Sequence, residues 1–110
     1  MVKIKRFDVF LVNLDPTIGS EIKKTRPAVI ISPESMNLSR LKTVIIAPMT
    51  STIKDNFPTR IFIEFKDKQG QIALDQLRSI DRTRIIKKLG TIERRAQNRV
   101  LDLLSIIFQK

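Results

Sequence analysis

Between Asp8 and Leu77 the apolar residues arrive in short runs, each cut off by proline, glycine or a polar turn, and no stretch there has the length and period of a globular helix. That feature commits this part of the chain to β-structure. Asp8–Leu14 (DVFLVNL) is rich in β-branched and aromatic residues and stops at Asp15-Pro16. Pro27–Ser32 (PAVIIS) and Lys42–Ala47 (KTVIIA) are unbroken apolar runs of the kind that form buried strands, the first bounded by Pro27 and Pro33, the second ended by Pro48. Arg60–Phe65 (RIFIEF) alternates, with Ile61, Ile63 and Phe65 on one face and Arg60, Phe62 and Glu64 on the other. Gln71–Leu77 (QIALDQL) follows Gly70 and reads as a further strand.

After Asp81 the pattern changes. Asp81 suits the N-cap of a short helical turn through Ile86, Gly90 breaks that turn, and Leu89–Ile92 reads as a brief strand or turn. From Arg94 to Phe108 the period is helical: Ala96, Val100, Leu103, Leu104 and Ile107 form one stripe that should dock on the sheet. Five or so short antiparallel strands followed by a C-terminal helix predict a mainly β (α+β) fold, a compact SH3-like antiparallel barrel in a single domain spanning residues 1–110. Phe10, Phe62 and Phe65 are expected in its core. A chain of 110 residues has one core with little to spare, so a homodimer that buries more apolar surface fits its size.

Charge and composition narrow the chemistry. Lys and Arg total 21 against 11 Asp and Glu, a net charge of +10, so the chain should attract polyanions and bind them more weakly as salt rises. There is no cysteine, which excludes disulfides and thiolate metal sites, and no histidine, which excludes imidazole as acid, base or ligand. No apolar run approaches the roughly 18 residues that span a bilayer, so no membrane partner is expected. The start, Val2-Lys3-Ile4-Lys5, alternates and lacks a signal-peptide core, which fits a cytoplasmic protein.

The two longest irregular stretches, Asp15–Arg26 and Pro48–Pro58, are where a site is expected, because long loops in a small domain are often functional. Their residues carry a resemblance. The segment from Asn13 to Glu21 (NLDPTIGSE) and Lys23–Ser32 (KKTRPAVIIS), then Pro48-Met49-Thr50-Ser51, then Asp75–Arg82 (DQLRSIDR) followed by Leu89-Gly90, together resemble the ordered motifs of the MazF/PemK toxins over nearly the whole chain. One departure is clear. The family usually has glycine just before the acidic residue that opens the first strand, and here Phe7 precedes Asp8. The resemblance implies a sequence-specific endoribonuclease acting on single-stranded RNA without metal or other cofactor. It also implies a homodimer neutralised by a cognate antitoxin with an acidic, flexible tail, which a basic surface would attract.

Cleavage of that kind uses the ribose 2′-OH as nucleophile. Without histidine, a carboxylate is the candidate base, and an arginine, a hydroxyl or water must serve the phosphate. Arg26 matches the family's catalytic arginine, often described as a general acid. Its planar fork and high pKa suit it better to holding phosphorane charge. Thr50 matches the catalytic threonine, and Ser51 beside it could assist. Glu21, in the same loop as Arg26, is the favoured base. Asp75 matches a residue proposed as base in other members, where an arginine two positions earlier is the proposed acid; here that position is Ala73. The choice of base stays open. Ser20, Lys23 and Lys24 are candidates for binding RNA beside Arg26, as are Asp75, Gln76 and Arg78 further on. Asn37 could read a base edge. The basic cluster Arg82, Arg84, Lys87, Lys88, Arg94, Arg95 and Arg99 reads mainly as solvated surface, with RNA or antitoxin guidance as the alternative.

Two rival readings remain. A gyrase poison of the CcdB type shares the fold but depends on a C-terminal Trp-Gly-Ile, and this chain has no tryptophan. A basic nucleic-acid-binding module without catalysis would bind RNA in a salt-sensitive way and leave it intact.

Overall fold

The two unbroken apolar runs become the middle of the sheet. In the computed structural model, which describes residues 3–110 and so leaves Val2 of the alternating start outside, β1 (Asp8–Asn13), β2 (Thr25–Ile30) and β3 (Thr43–Thr50) lie side by side and antiparallel. Both faces of β2 and β3 are covered. Val29, Ala47 and Met49 join Ile61, Ile63, Ile72 and Leu74 in one cluster, while Ala28, Ile30, Val44 and Ile46 join Phe10, Val12, Leu14 and Ile80 in another. A strand buried on both sides needs no alternation, which is why these runs read as continuous hydrophobic stretches. Among the described residues β4 (Arg60–Phe65) pairs only with β5 (Lys68–Ala73), and its period of two reports one covered face: Ile61 and Ile63 are buried, Phe62 and Glu64 exposed.

The sheet runs β4-β5-β3-β2-β1-β7, with β6 (Arg78–Asp81) on β3 and β7 (Ile85–Thr91) at the far edge. β3 is the pivot. One of its edges pairs with β6 through Thr43–Ile46 and then with β5 through Met49 and Thr50. Pro48 falls at that change of partner. The N–H of Ile45 donates to Ser32 Oγ and its carbonyl accepts from Ile31 N, so Ile45 faces β2. Strict alternation then turns Pro48 to the opposite edge, where neither β6 nor β5 asks it for a donor. Proline therefore does not end the strand, as the sequence suggested. β3 continues to Thr50.

The result is a curled antiparallel half-barrel with a C-terminal helix, the expected architecture. α2 (Arg94–Ile107) docks through the expected stripe: Ala96 and Val100 are buried, and Leu103, Leu104 and Ile107 pack against the same cluster. Packing holds this helix. No side chain caps it, and its first turn carries Arg94 and Arg95, cations at the wrong end of the helix dipole. Full burial of one side chain the size of Val100 contributes about 1.5–3 kcal/mol, more than the few tenths to 1 kcal/mol such charges typically cost.

Several details differ from the sequence reading. β5 begins earlier, at Lys68, and Leu74–Gln76 is a single 3-10 turn. Asp81 does cap a turn, accepting from Thr83 N at 2.9 Å, but the turn ends at Arg84 and β7 takes over. β7 was obscured because Lys87 and Lys88 interrupt it, as charges often do on an edge strand. A short helix, α1 (Glu34–Asn37), follows β2, and Phe62 is half exposed while Phe10 is buried.

Phe7, the departure from the family pattern, sits where that pattern has a physical reason. Its φ is 75°, in the left-handed region that favours glycine, at the turn that leads into β1. Its N–H donates to Ile30 O at 2.7 Å and its carbonyl accepts from Ile92 N at 3.1 Å, which fix the backbone, while its ring is buried in the cluster beneath α2.

Candidate active site

The loop between β1 and β2 is tied along its length. Leu14 N donates to Lys24 O at 3.0 Å across the loop's neck, and Lys24 N donates to Asp15 Oδ1 at 3.0 Å. Arg78 and Arg84 reach the carbonyls that begin the loop, Arg78 at Leu14 and Arg84 at Asn13 and Asp15. At the tip, Gly19 takes a φ of 58°, and Glu21 closes the turn on itself: Glu21 N donates to Ile18 O at 3.2 Å, and Ile18 N donates to Glu21 Oε1 at 2.6 Å. The second oxygen of Glu21 has no hydrogen-bond partner among the described residues.

Gln76 holds the underside. Its Oε1 accepts from Ile22 N at 2.6 Å and its Nε2 donates to Ser20 O at 3.3 Å. The space so defined is an open cleft of ≈ 360 Å³ lined by Ile18, Ser20, Glu21, Ile22, Pro48, Asp75, Gln76, Leu77 and Arg78. Five residues singled out in two separate motifs thus share one wall: Ser20, Glu21, Asp75, Gln76 and Arg78. Lys23 and Lys24 are exposed on the same loop, outside the lining.

Arg26 and Thr50 lie on the neighbouring strands β2 and β3. The β2–β3 pairing sets Ala28 opposite Pro48, two residues along β2 from Arg26 and two residues along β3 from Thr50. Each has one internal bond that orients it. Arg26 Nε donates to Lys23 O at 3.1 Å, which leaves the terminal nitrogens of the fork without a partner among the described residues. Thr50 Oγ accepts from Thr52 N at 3.1 Å, which leaves its hydroxyl proton to donate. Ser51, next to it, is exposed.

The second loop, from Ser51 to Thr59, has its own support, which the sequence reading missed. Gln71, fully buried and paired with Thr50 in the β3–β5 register, accepts from Lys54 N at 3.1 Å and donates to Lys54 O at 3.3 Å. A glutamine preceding the apolar Ile72-Ala73-Leu74, just after Gly70, was the available signal.

Comparisons with known proteins give the family and the fold. The model of the PemK-like, MazF-like toxins of type II toxin–antitoxin systems matches residues 5–108. The chain belongs to this family. Its fold is similar to that of a MazF from Deinococcus radiodurans, at 22% identity and a TM-score of 0.82, over 97% of each chain. It is also similar to the Mycobacterium tuberculosis toxin MazF-mt6, at 17% identity and a TM-score of 0.75 over 92% of this chain and 95% of that one. A mycobacterial endoribonuclease in complex with its cognate antitoxin matches at 18% identity and a TM-score of 0.76, over 94% of this chain and 92% of that one.

Against the MazF/PemK pattern, the acidic position in the third motif is filled in an unexpected way. Asp75 has no arginine two residues before it, but Arg60 lies opposite Ala73 in the β4–β5 register and closes on Asp75 from there. Arg60 Nε and Nη2 donate to the two carboxylate oxygens at 2.7 and 3.2 Å. Partial burial pushes the Asp75 pKa up, but the Arg60 hydrogen bond and charge, its own backbone N–H and the Thr59 hydroxyl outweigh it and hold it below the usual carboxylate value. A carboxylate with both oxygens engaged and a lowered pKa is a weak proton acceptor.

Asn37 is a correction. It is buried, its Oδ1 accepts from Ser32 Oγ at 2.6 Å, and its Nδ2 donates to Ser32 O at 2.8 Å. Ser32 Oγ in turn accepts from Ile45 N at 3.2 Å. This amide closes the chain of bonds that joins α1 to β3 and has no edge to offer a base.

Proposed function

We propose that the protein is a sequence-specific, metal-independent endoribonuclease that cuts single-stranded RNA, and that this activity makes it the growth-inhibiting component of its toxin–antitoxin pair. The observation that supports this reading is the pairing of Ala28 with Pro48, which sets Arg26 in β2 and Thr50 in β3 on neighbouring strands, with Glu21 on the loop that leads into β2.

In this reading the 2′-OH attacks the adjacent phosphorus and gives its proton to the unpartnered oxygen of Glu21. The terminal nitrogens of Arg26 grip two phosphate oxygens together and stabilise the phosphorane, and the Thr50 hydroxyl donates to one of them. The bond from phosphorus to the 5′ oxygen breaks, and that oxygen takes a proton from water. The products carry a 2′,3′-cyclic phosphate and a 5′-hydroxyl. Ser20, Lys23, Lys24, Ser51, Gln76 and Arg78 hold the flanking nucleotides. Glu21 is the better base because one of its oxygens is unpartnered, whereas both oxygens of Asp75 bind Arg60.

The partner on the protein side is an acidic antitoxin segment, drawn by the net charge of +10. A homodimer in the cytoplasm completes the reading. The test is incubation of the purified protein with a long RNA in EDTA, with mapping of new 5′ ends. Cuts at one short repeated sequence are expected, lost in Thr50→Val and strongly slowed in Arg26→Lys, which keeps the charge and loses the fork. Intact RNA, or wild-type rates in both variants, overturns the proposal.

A further inference from the structure

Two loops carry the candidate site, and a glutamine amide lies beneath each: Gln76 under Ser20 and Ile22, Gln71 under Lys54. Arg60 runs between them. Its fork closes on Asp75, and its guanidinium carbon lies 5.1 Å from the ring centre of Phe57 in the second loop. Asp75 and Gln76 are consecutive residues of the same 3-10 turn. The path is therefore continuous, from Phe57 through Arg60, Asp75 and Gln76 to the backbone at Ser20 and Ile22. The Arg60 side chain is only 6% exposed, and that of Asp75 30%.

We propose that the Arg60–Asp75 fork is a positioning brace that fixes the two loops relative to each other, so that Glu21 on the first and Arg26 just beyond it in β2 keep their setting against Thr50 at the root of the second. A two-bond fork suits this task. It fixes direction as well as distance, and it is shielded enough to be screened less than a surface pair. Asp75 acts through Gln76 and does not itself touch the reacting atoms. The effect on catalysis rests on the RNA-cleaving reading; the effect on loop order does not.

The experiment has two arms. In the first, backbone amide exchange is measured on the free protein for wild type, Arg60→Met, Asp75→Asn and the double variant. Each single variant is expected to speed exchange at Ile22 and Lys54 by roughly tenfold, with Val29 in the central sheet unchanged. The double variant should be no faster than either single one, because one linkage is lost in all three. Wild-type exchange at Ile22 in the single variants, or additive effects in the double, overturns the brace. Should Arg60→Met fail to fold, Arg60→Lys, which keeps the charge and loses the fork, is expected to give an intermediate rise, and no rise in it overturns the brace equally.

In the second arm, the pH–rate profile of RNA cleavage is compared between wild type and Asp75→Asn. The acidic limb should persist at a lower plateau. Its disappearance makes Asp75 the base and overturns the positioning role. A wild type that cuts no RNA defeats the functional reading alone, since the exchange arm still decides the brace.

Discussion

A Cβ placed on Gly70 would lie 2.7 Å from the carbonyl oxygen of Thr50. That oxygen belongs to the backbone at the end of β3, so it can yield only if the strand moves. The glycine in QGQIAL is thus the reason β5 can come close enough to β3 to seat the threonine and the buried Gln71 beside it.

Gly70→Ala should therefore cost about 1–3 kcal/mol through overpacking, seen as a lower midpoint in chemical denaturation. Because the atom that must give way is Thr50's own, RNA cleavage should fall further than the stability loss explains. A variant of wild-type stability would show that β5 moves aside freely.

Phe7 sets two effects against each other. Truncating a buried phenylalanine costs about 3–5 kcal/mol, while a left-handed φ on a residue other than glycine costs about 1–2 kcal/mol. Packing wins, so both Phe7→Ala and Phe7→Gly should be less stable than wild type. Phe7→Gly should be the better of the two by about 1 kcal/mol, because it alone relieves the backbone. Equal denaturation midpoints would mean that the φ of 75° costs nothing there.

The lowered pKa of Asp75 makes a signed claim about pH. Its folded-state value lies below the unfolded reference of 3.8, so its stabilisation is fully present above that reference and is lost as pH falls through the folded value. The stability difference between wild type and Asp75→Asn should be constant from about pH 5 to 7 and shrink below pH 3.8. Asp81, held low by its bonds from the backbone N–H and hydroxyl of Thr83, titrates on the same side but is common to both proteins and cancels. A difference that grows on acidification would refute the fork as a stabilising pair.

Asn37→Ala should behave as a core lesion. It leaves the buried Ser32 carbonyl and hydroxyl without their partner, at a cost of about 1–3 kcal/mol. The sequence at which RNA is cut should not change. A changed cutting pattern in a stable Asn37→Ala protein would restore the reading of this residue as a base reader.

The strands most legible in the chain were those whose surroundings leave a mark on composition. RIFIEF matched its element to the residue because one face of β4 is open, and the α2 stripe matched because a single docked face imposes the helical period. β6 and β7 lacked such a mark, being short or interrupted by charge. Asn37 looked like a free polar residue because sequence does not show burial.

What the sequence determined by itself was the class of fold, the family and the separate motifs around Glu21, Arg26, Thr50 and Asp75. These are local properties: a period, a turn residue, a side chain's chemistry. Only the tertiary structure decided which motifs meet and what each carboxylate is free to do. Arg60 is 15 residues from Asp75, and Gln76 is 54 from Ile22. Contacts across such distances depend on strand register, so the carboxylate that keeps an unpartnered oxygen and the one already engaged in an ion pair can be told apart only after the sheet has closed.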